Sequence, residues 1–438
     1  MSGRSWIRSG RAVGVAGGLL LVLFAACSDD VTVGEVTPDA GGPDASPVDD
    51  AAVDDAGAIR DAADDRDAGA EARCGLDGFC LIEGPSSKSP AGQPVTLNDV
   101  WLDPDGRAWA VGFRAGVGAL VTVFDGKEWT DVWTGPANLT SIWGVGRQEI
   151  WAAGQDLALH GVAANGTWEW TAVPLPANSR VHKIWAQGPN EAWACGFSGV
   201  LHWTGSEWVR SFAARAVGVD KWDCGTVWGT ETGEVWATIS HGVYDYADEY
   251  YRTTMYLARR PPGGAPDVGD AGDADAGEAE DAGALDDDAL DPASTDGWRI
   301  VAGTRLSQEL GTYGQGAYAG GGVHRIVGSL GSRIGAMHSK LEAGRVVFGP
   351  FAEALDGAGK SLPGVGLYDL WAGPNEAWAL GQLGVYRYDS ASWSYAKTAI
   401  DGMPLIALGR PNGIFADSKQ VIVVGNNIVL RREEKVKP

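Results

Sequence analysis

Apolar and polar residues alternate along much of this chain in short runs of about four to six positions, the pattern of β-strands with one buried face. The runs come in groups of four, and most groups contain two tryptophans that are seven or eight residues apart. These pairs are Trp101 with Trp109, Trp143 with Trp151, Trp185 with Trp193, Trp228 with Trp236, and Trp371 with Trp378. The groups repeat at about 42 residues, and a period of about 40 to 45 residues with several strands per unit is typical of a β-propeller.

The four strands of each unit differ in sequence. The first strand carries the first tryptophan, the second carries a Trp-Ala-x-Gly phrase, and the fourth begins at a further tryptophan such as Trp208. The third is a stretch such as Gly199-Val-Leu-His-Trp203. We expect the glycines that close the second strands to lie in loops with positive φ, where glycine carries no steric penalty. These glycines are Gly112, Gly154, Gly196 and Gly381.

Seven copies of the second strand can be aligned, which predicts an all-β, seven-bladed β-propeller, with six or eight blades as alternatives. Two copies lack the tryptophan: one begins at Ile326, eight residues after Tyr318, and the other is Val421-Ile-Val-Val-Gly425. The spacings between copies are 42, 42, 43, 90, 52 and about 44 residues. Removing an acidic stretch of about 40 residues from the long interval restores the period.

The two ends of the repeat region predict how the ring closes. The last unit supplies three strands but no fourth, whereas the segment from Asp77 to Ile82 has the features of an isolated fourth strand with its turn. We predict that this N-terminal strand completes the last blade, because ring closure removes exposed sheet edges. The propeller would then occupy residues 74–438.

Two acidic stretches account for the whole formal net charge of −23. Residues 28–73 contain 14 Asp and Glu against three Arg, and residues 261–297 contain 12 Asp and Glu with no Lys or Arg. Both have few aromatic residues and too little apolar surface to offset chain entropy, so we expect both to be disordered. The first is predicted to be an extended tether, and the second to interrupt the hairpin between strands three and four of blade four. The charge balance argues against nucleic-acid binding, and the Asp-rich runs lack a full calcium loop.

The first 27 residues have the features of an export signal. Three arginines precede an apolar stretch, residues 12–26, that is too short to span a bilayer as a helix. The segment Phe24-Ala25-Ala26-Cys27 resembles a bacterial lipobox, which implies that Cys27 is acylated and the peptide before it removed. An ordinary secretory signal with a chance cysteine is the alternative.

The other four cysteines are an even number in a chain expected to be exported, which favours disulfides over metal or redox chemistry. Cys74 and Cys80 close a small loop at the predicted closing strand. Cys195 ends a second strand and Cys224 begins the next first strand, so a bridge between adjacent blades is expected there.

The turns between strands three and four resemble those of BNR or Asp-box propeller proteins. The turns that carry the resemblance include Asp125-Gly126-Lys127-Glu128-Trp129, Asn165-Gly166-Thr167-Trp168, Thr204-Gly205-Ser206-Glu207-Trp208, Asp296-Gly297-Trp298 and Asp389-Ser390-Ala391-Ser392-Trp393. The resemblance implies the fold over residues 74–438 more than any activity. Asp-box sialidases use an Arg-Ile-Pro signature, whereas Arg299 and Arg325 are each followed by Ile-Val.

One predicted loop departs from the repeat. The segment from Ser240 to Arg252 joins strands two and three of blade four, a link that takes only a few residues elsewhere. Tyr and Arg are favoured at binding hot spots, so this loop is the candidate binding site, with packing against neighbouring loops as the alternative. Its candidate binding residues are His241, Tyr244, Tyr246, Tyr250, Tyr251 and Arg252. We expect structural roles for the repeated tryptophans, and structural or merely exposed roles for His160, His202 and His338.

These patterns predict a lipid-anchored propeller in the bacterial cell envelope, outside the cytoplasm, with the outer membrane favoured over the inner. We expect a monomeric binding or scaffold module for an envelope protein or glycan, with no catalytic residues, no cofactor and no metal. The alternatives are a glycan-processing hydrolase, which would need carboxylates converging on the central channel, and a purely structural envelope protein.

Overall fold

Each tryptophan pair lies on the two inner strands of one blade. Trp101 is paired with Trp109 and Trp143 with Trp151 across neighbouring antiparallel strands, because the short turn between the strands returns the chain in register. The computed structural model describes residues 73–85, 93–197, 199–212, 221–245, 250–264, 296–302, 314–330, 333–342, 345–349, 352–353, 355, 361, 367–382, 384–389, 391–396 and 399–433.

Seven antiparallel sheets form the blades, which confirms the predicted seven-bladed β-propeller. Blade one contains β3 (Val95–Leu102), β4 (Ala108–Arg114), β5 (Gly118–Phe124) and β6 (Trp129–Gly135). Blade two contains β7 (Leu139–Val145), β8 (Glu149–Gly154), β9 (Leu157–Ala164) and β10 (Thr167–Pro174). Blade three contains β11 (Val181–Gly188), β12 (Glu191–Gly196), β13 (Gly199–Trp203) and β14 (Trp208–Phe212).

The remaining blades repeat this order with larger departures in strand length. Blade four contains β15 (Lys221–Gly229), β16 (Val235–Asp245), β17 (Tyr250–Arg260) and β18 (Arg299–Ala302). Blade five contains β19 (Gly314–Gly320), β20 (Val323–Leu330), β21 (Arg333–Glu342), β22 (Arg345–Phe348) and the short β23 (Ala352–Glu353). Blade six contains β24 (Leu367–Ala372), β25 (Ala377–Gly381), β26 (Gly384–Tyr388) and β27 (Trp393–Tyr395). A 3₁₀ turn, Pro262–Gly264, follows β17, and the short helix α1 (Leu405–Leu408) precedes blade seven.

Blade seven is completed by the N-terminal part of the chain, as predicted. Its strands β28 (Pro411–Ala416), β29 (Gln420–Gly425) and β30 (Val429–Glu433) are joined by β2 (Cys80–Leu81), and β1 (Arg73–Cys74) adds a fifth strand. Cys80 lies opposite Arg431. Phe79, fully buried, packs edge-on against Trp378 at 5.8 Å between ring centroids. The closing segment is therefore part of the core as well as of the sheet.

The glycines that end the second strands are required for close approach, which corrects the expectation of positive φ. Gly112, Gly154 and Gly196 are not among the residues with positive φ. A Cβ atom on Gly112 would lie 2.0 Å from the carbonyl oxygen of Thr96, and one on Gly154 would lie 1.6 Å from that of Asn138. Each of these glycines lies beside a β-bulge in the first strand, where the two backbones come together.

Two other expectations about blades four and five are corrected by the strand register. His324, and not Ile326, lies opposite Tyr318, so the fifth copy begins two residues earlier than its spacing predicts. The segment predicted as a loop in blade four is the tip of a long hairpin, because β16 and β17 pair up to Asp245 and Tyr250. In sequence, the acidic stretch lies between β17 and β18, the third and fourth strands of blade four.

A repeated pair of polar side chains fixes the outer side of the second strands in five blades. An acid or amide at the start of the second strand, or one residue before it, contacts a histidine or arginine of the third strand. These outer pairs are Glu149–His160, Glu191–His202, Glu234–Arg259, Glu376–Arg387 and Gln420–Arg431. In blade two the same Glu149 oxygen also accepts the indole N–H of Trp151, at 3.1 Å, and the His160 ring stacks on that indole at 4.0 Å. The structural roles expected for His160 and His202 agree with these contacts.

The segments before Arg73 and most of residues 261–297 lie outside the described residues, so the signal, Cys27, the tether and the insertion stay predictions. Within the described part of the chain, no helix is long and apolar enough to span a membrane.

Candidate functional site

The first strands of the seven blades surround a central channel, and one equivalent position in each strand lies two residues before the first aromatic side chain. The residues at this position are Asp99, Ser141, Lys183, Thr226, Gly316, Asp369 and Gly413. In six blades a β-bulge directly precedes or adjoins this position, which turns its side chain towards the neighbouring blade and the channel. The ring is thus chemically uneven, although the blades repeat.

Three charged members of this ring meet across the channel. The Lys183 ammonium lies 2.6 Å from an oxygen of Asp369 and 3.2 and 3.3 Å from the two oxygens of Asp99. Both carboxyl groups are buried, and the lysine side chain is about one-fifth exposed. These three residues, the ion triad, therefore connect blades one, three and six.

The remaining acceptor positions of the carboxylates are used by the next blades. One Asp99 oxygen accepts hydrogen bonds from the Ser141 hydroxyl at 2.7 Å and the Ile142 amide at 3.0 Å. One Asp369 oxygen accepts the Ile414 amide at 2.9 Å. Ser141 in turn accepts the Ile184 amide at 3.1 Å, so the network continues from blade two to blade three.

The electrostatics of the ion triad follow from burial and pairing. Burial raises the pKa of Asp99 above its ordinary value, and the nearby Lys183 opposes that rise. For Lys183 burial favours the neutral form, but the carboxylates of Asp369 and Asp99 outweigh it and raise the lysine pKa above its ordinary value. Lys183 is therefore cationic at physiological pH, and it holds the ring together rather than acting as a base.

A cavity of about 170 Å³ adjoins the ion triad. Because its lining residues include the triad and the positions that follow it in the first strands, the cavity lies towards the turns between strands one and two. Its walls are dominated by the first-strand aromatic residues, which we call the aromatic collar. The collar members in the lining are Trp143, Trp185, Trp228, Tyr318, Trp371 and Phe415. Four of these six side chains are half-buried: Trp143, Tyr318, Trp371 and Phe415.

The predicted tyrosine site lies away from this cavity, on the β16–β17 hairpin. Tyr244 is paired with Tyr251 across the hairpin, and Tyr250 with Asp245; Arg252 lies opposite Val243. Tyr246 lies outside the described residues. The backbone therefore brings most of the predicted residues together, on strands and not on a loop. His241 is buried, and its ring stacks on Trp222 at 3.9 Å.

A disulfide ties β15, the strand that pairs with the base of the hairpin, to blade three. Cys195 and Cys224 are bonded, as are Cys74 and Cys80, which confirms both predicted disulfides. Phe197 lies two residues after Cys195 and is 43% exposed. Its backbone forms an isolated β-bridge with Asp223 of blade four. The Arg180 guanidinium lies over the Phe197 ring at 5.6 Å, and the His182 ring meets its edge. An exposed aromatic ring with arginine and histidine thus adjoins the hairpin.

Solved structures similar to this one are β-propellers. YCF48 bound to a D1 peptide has 17% sequence identity and a TM-score of 0.50, covering 83% of this chain and 99% of its own. Virginiamycin B lyase from Staphylococcus aureus has 11% identity and a TM-score of 0.51, covering 82% and 100%. The chain matches no sequence-family model, and no curated protein matches it in sequence. At these identities the similarity establishes a propeller repeat protein and nothing about its ligand.

The ion triad was not predicted from the sequence. Its members are far apart in the chain, 84 residues for Asp99 to Lys183 and 186 for Lys183 to Asp369. A signal was present: aligning the repeats on the first aromatic residue places all three charges at the same position of the first strand. No group of side chains in the described residues is arranged to hold a metal ion.

Proposed function

We propose that this protein is a lipid-anchored binding module of the bacterial cell envelope, related in its turns to BNR or Asp-box propellers. Its partner, an envelope protein or glycan, docks on the β16–β17 hairpin and the adjoining surface of blade three. The observation that carries this proposal is the length of the hairpin. β16 has 11 residues, whereas the second strands of the other blades have five to eight.

The hairpin is longer than ring packing requires. β12 ends three residues after Trp193, and β16 continues nine residues past the equivalent Trp236. The six additional residues correspond to about 20 Å of extended chain. A two-stranded hairpin of this kind is marginal alone, so a fixed base is needed, and the Trp222–His241 stack and the Cys195–Cys224 bridge provide one.

The adjoining surface has the chemistry of a binding site. Phe197 and Val243 are each 43% exposed, and Arg180 stacks on the phenylalanine ring. Aromatic and arginine side chains dominate binding energy at protein interfaces because they combine apolar area with polar groups. YCF48, a propeller of similar fold, has been solved with a bound peptide, which supports a protein partner for this chain as well.

The test is capture of a partner from envelope extract with the oxidised, processed protein. The decisive variant replaces residues 242–253 by a two-residue Asn-Gly turn, which joins the paired residues His241 and Thr254 and so should keep the register of the blade below. Its control removes residues 266–295, a longer segment that lies in sequence between β17 and β18. We expect the partner to be lost by the first variant and kept by the control. Equal capture by both would place the site on another part of the ring.

Lipid attachment at Cys27 is tested separately. Labelling with a palmitate analogue in cells should mark the wild type and not the Cys27→Ser variant, and only the wild type should sediment with membranes. Unchanged sedimentation of the variant, without label in either protein, would favour the ordinary secretory signal.

The hydrolase alternative rests on the convergence of Asp99 and Asp369 on the channel. In this geometry Lys183 lies between the two carboxylates, and backbone amides occupy their other oxygens. A hydrolase needs one carboxyl group to deliver a proton and one carboxylate to face the substrate. The binding module therefore predicts that Asp369→Asn retains partner capture, while the hydrolase predicts loss of turnover on envelope glycans.

A further inference from the structure

The central cavity has the dimensions of a site for one small ring. Its volume is about 170 Å³. An apolar protein cavity of about 150 Å³ is sufficient to bind benzene. Four of the six collar residues in its lining are half-buried and face open space. The cavity belongs to the whole ring, because all seven blades contribute lining residues.

The aromatic collar lines the cavity, and the indole N–H groups of two of its members are already engaged elsewhere. The Trp143 indole N–H donates to the carbonyl oxygen of Ala186 at 3.0 Å, and that of Trp228 donates to the His324 ring at 3.0 Å. The Trp143 and Trp371 rings flank Phe415 at 5.9 and 6.5 Å between centroids, tilted by 66° and 59°. Tilted rings at these spacings suit edge-to-face contact with a further aromatic or apolar group.

The charged end of the cavity is closed to a charged ligand. The Lys183 ammonium already has both carboxylates as partners, and those carboxylates accept backbone amides from four blades. An anion would compete with Asp99 and Asp369 for the lysine, and a cation would approach the lysine itself. Either would leave part of a buried ion network unpaired, which is strongly unfavourable.

We infer that the central cavity binds one uncharged, ring-sized apolar group, supplied either by a small free molecule or by an aromatic side chain of a partner. This site is separate from the hairpin surface and does not depend on the function proposed for it. Recognition would come from the collar by shape and ring contact, with the ion triad excluding charged groups of the same size.

Three probes with one ring and different head groups test this inference: benzyl alcohol, benzoate and benzylammonium. Binding to the intact oxidised protein is followed by ligand-observed NMR titration. We expect saturable binding of benzyl alcohol at least about tenfold tighter than that of either ion. Tighter binding of benzoate or benzylammonium, or no saturable binding of any probe, would overturn the inference.

Cavity-filling variants locate the probe. Ala372 and Ala317 are half-buried in the cavity lining, so Ala372→Leu and Ala317→Leu should each weaken benzyl alcohol binding at least about tenfold. Ala172→Leu, at an exposed position of β10, is the matched control and should bind as the wild type does. Unchanged affinity in folded cavity variants would refute the location. If neither variant folds, the head-group series on the wild type decides.

The source of the ring is distinguished by a second probe. A capped Gly-Phe-Gly peptide that competes with benzyl alcohol would show that the cavity admits a side chain carried on a peptide. Binding of the alcohol without competition would assign the cavity to small free molecules.

Discussion

The inner and outer sides of the blades solve the same packing problem in different ways. On the outer side, five blades repeat one pairing of an acid or amide with a histidine or arginine, beside a buried second-strand residue. On the inner side, the equivalent positions carry three charges, two hydroxyls and two glycines, and the charges join into one network. Each outer pair lies within one blade and can form in that blade alone. The inner network joins several blades, so it can exist only in the assembled ring. Departures from the repeat are therefore where a ring-specific function is to be sought.

Breaking the inner network should have the largest effect. Lys183→Met leaves two buried carboxylates without their common cation, and removal of one partner from a buried ion network costs about 3 to 5 kcal/mol. We expect a loss of about 4 kcal/mol in the free energy of unfolding, measured by urea denaturation at neutral pH.

A triple variant separates the charge from the packing of this network. Combining Lys183→Met with Asp99→Asn and Asp369→Asn removes all three charges, and we expect it to recover most of the loss, because no charge is left unpaired. A single variant within about 1 kcal/mol of the wild type would mean that the network contributes little, and the contrast with the outer pairs would fail.

Blade five departs from the repeat on its second strand, and this departure predicts a pH-dependent stability. His324 takes the place of the second-strand tryptophan and is fully buried. Burial, with the positive charge of Arg259, lowers its pKa from 6.5 to about 3. Its depressed pKa contributes stability that is present above pH 6.5 and is lost as the pH falls towards 3.

Between pH 7.5 and pH 4.5 the wild type should therefore lose about 3 kcal/mol more than His324→Gln, which keeps an acceptor for Trp228 but does not titrate. The measurement is urea denaturation of both proteins at the two pH values. Parallel losses in the two proteins would show that other groups, and not His324, control the acid sensitivity.

A single outer pair should matter least. Glu149→Ala removes the acceptor of the Trp151 indole and the partner of His160, and we expect a loss of about 1 to 2 kcal/mol by thermal or urea denaturation. Glu169→Ala, an exposed glutamate of the same blade, is the control and should change stability by less than about 0.5 kcal/mol. A loss as large as that of Lys183→Met would mean that the outer pairs are not independent supports.

The fold was predictable because the repeat encodes it seven times. Paired tryptophans, short alternating runs and the spare strand near Cys80 each predicted a contact that the blades contain. The predicted register of blade five was wrong because a histidine stands where the other copies have the tryptophan on which they were aligned. The role of the Trp-Ala-x-Gly glycines was also wrong, since close approach at a bulge depends on a neighbouring strand that local sequence does not specify.

The candidate sites were predictable only in part. The tyrosine-rich segment was found because it lengthens one repeat, although its tyrosines, which favour strands, extend β16 and β17 instead of forming a loop. The ion triad and the cavity depend on which blades face each other across the ring, and this follows from the blade number and the closure. Neither property belongs to any single segment of the chain.

The pairing of β2 with β30 also sets the timing of assembly. The strand that completes blade seven is among the first parts of the propeller to be synthesised, and its partner is among the last. Such long-range pairing is slow, and until it forms the ring has two open edges that can join other chains. The Cys74–Cys80 loop spans only six residues and can be oxidised long before β30 exists. The chain can thus carry a preformed closing piece through the whole of its folding, and ring closure is the late step at which a chaperone of this protein would act.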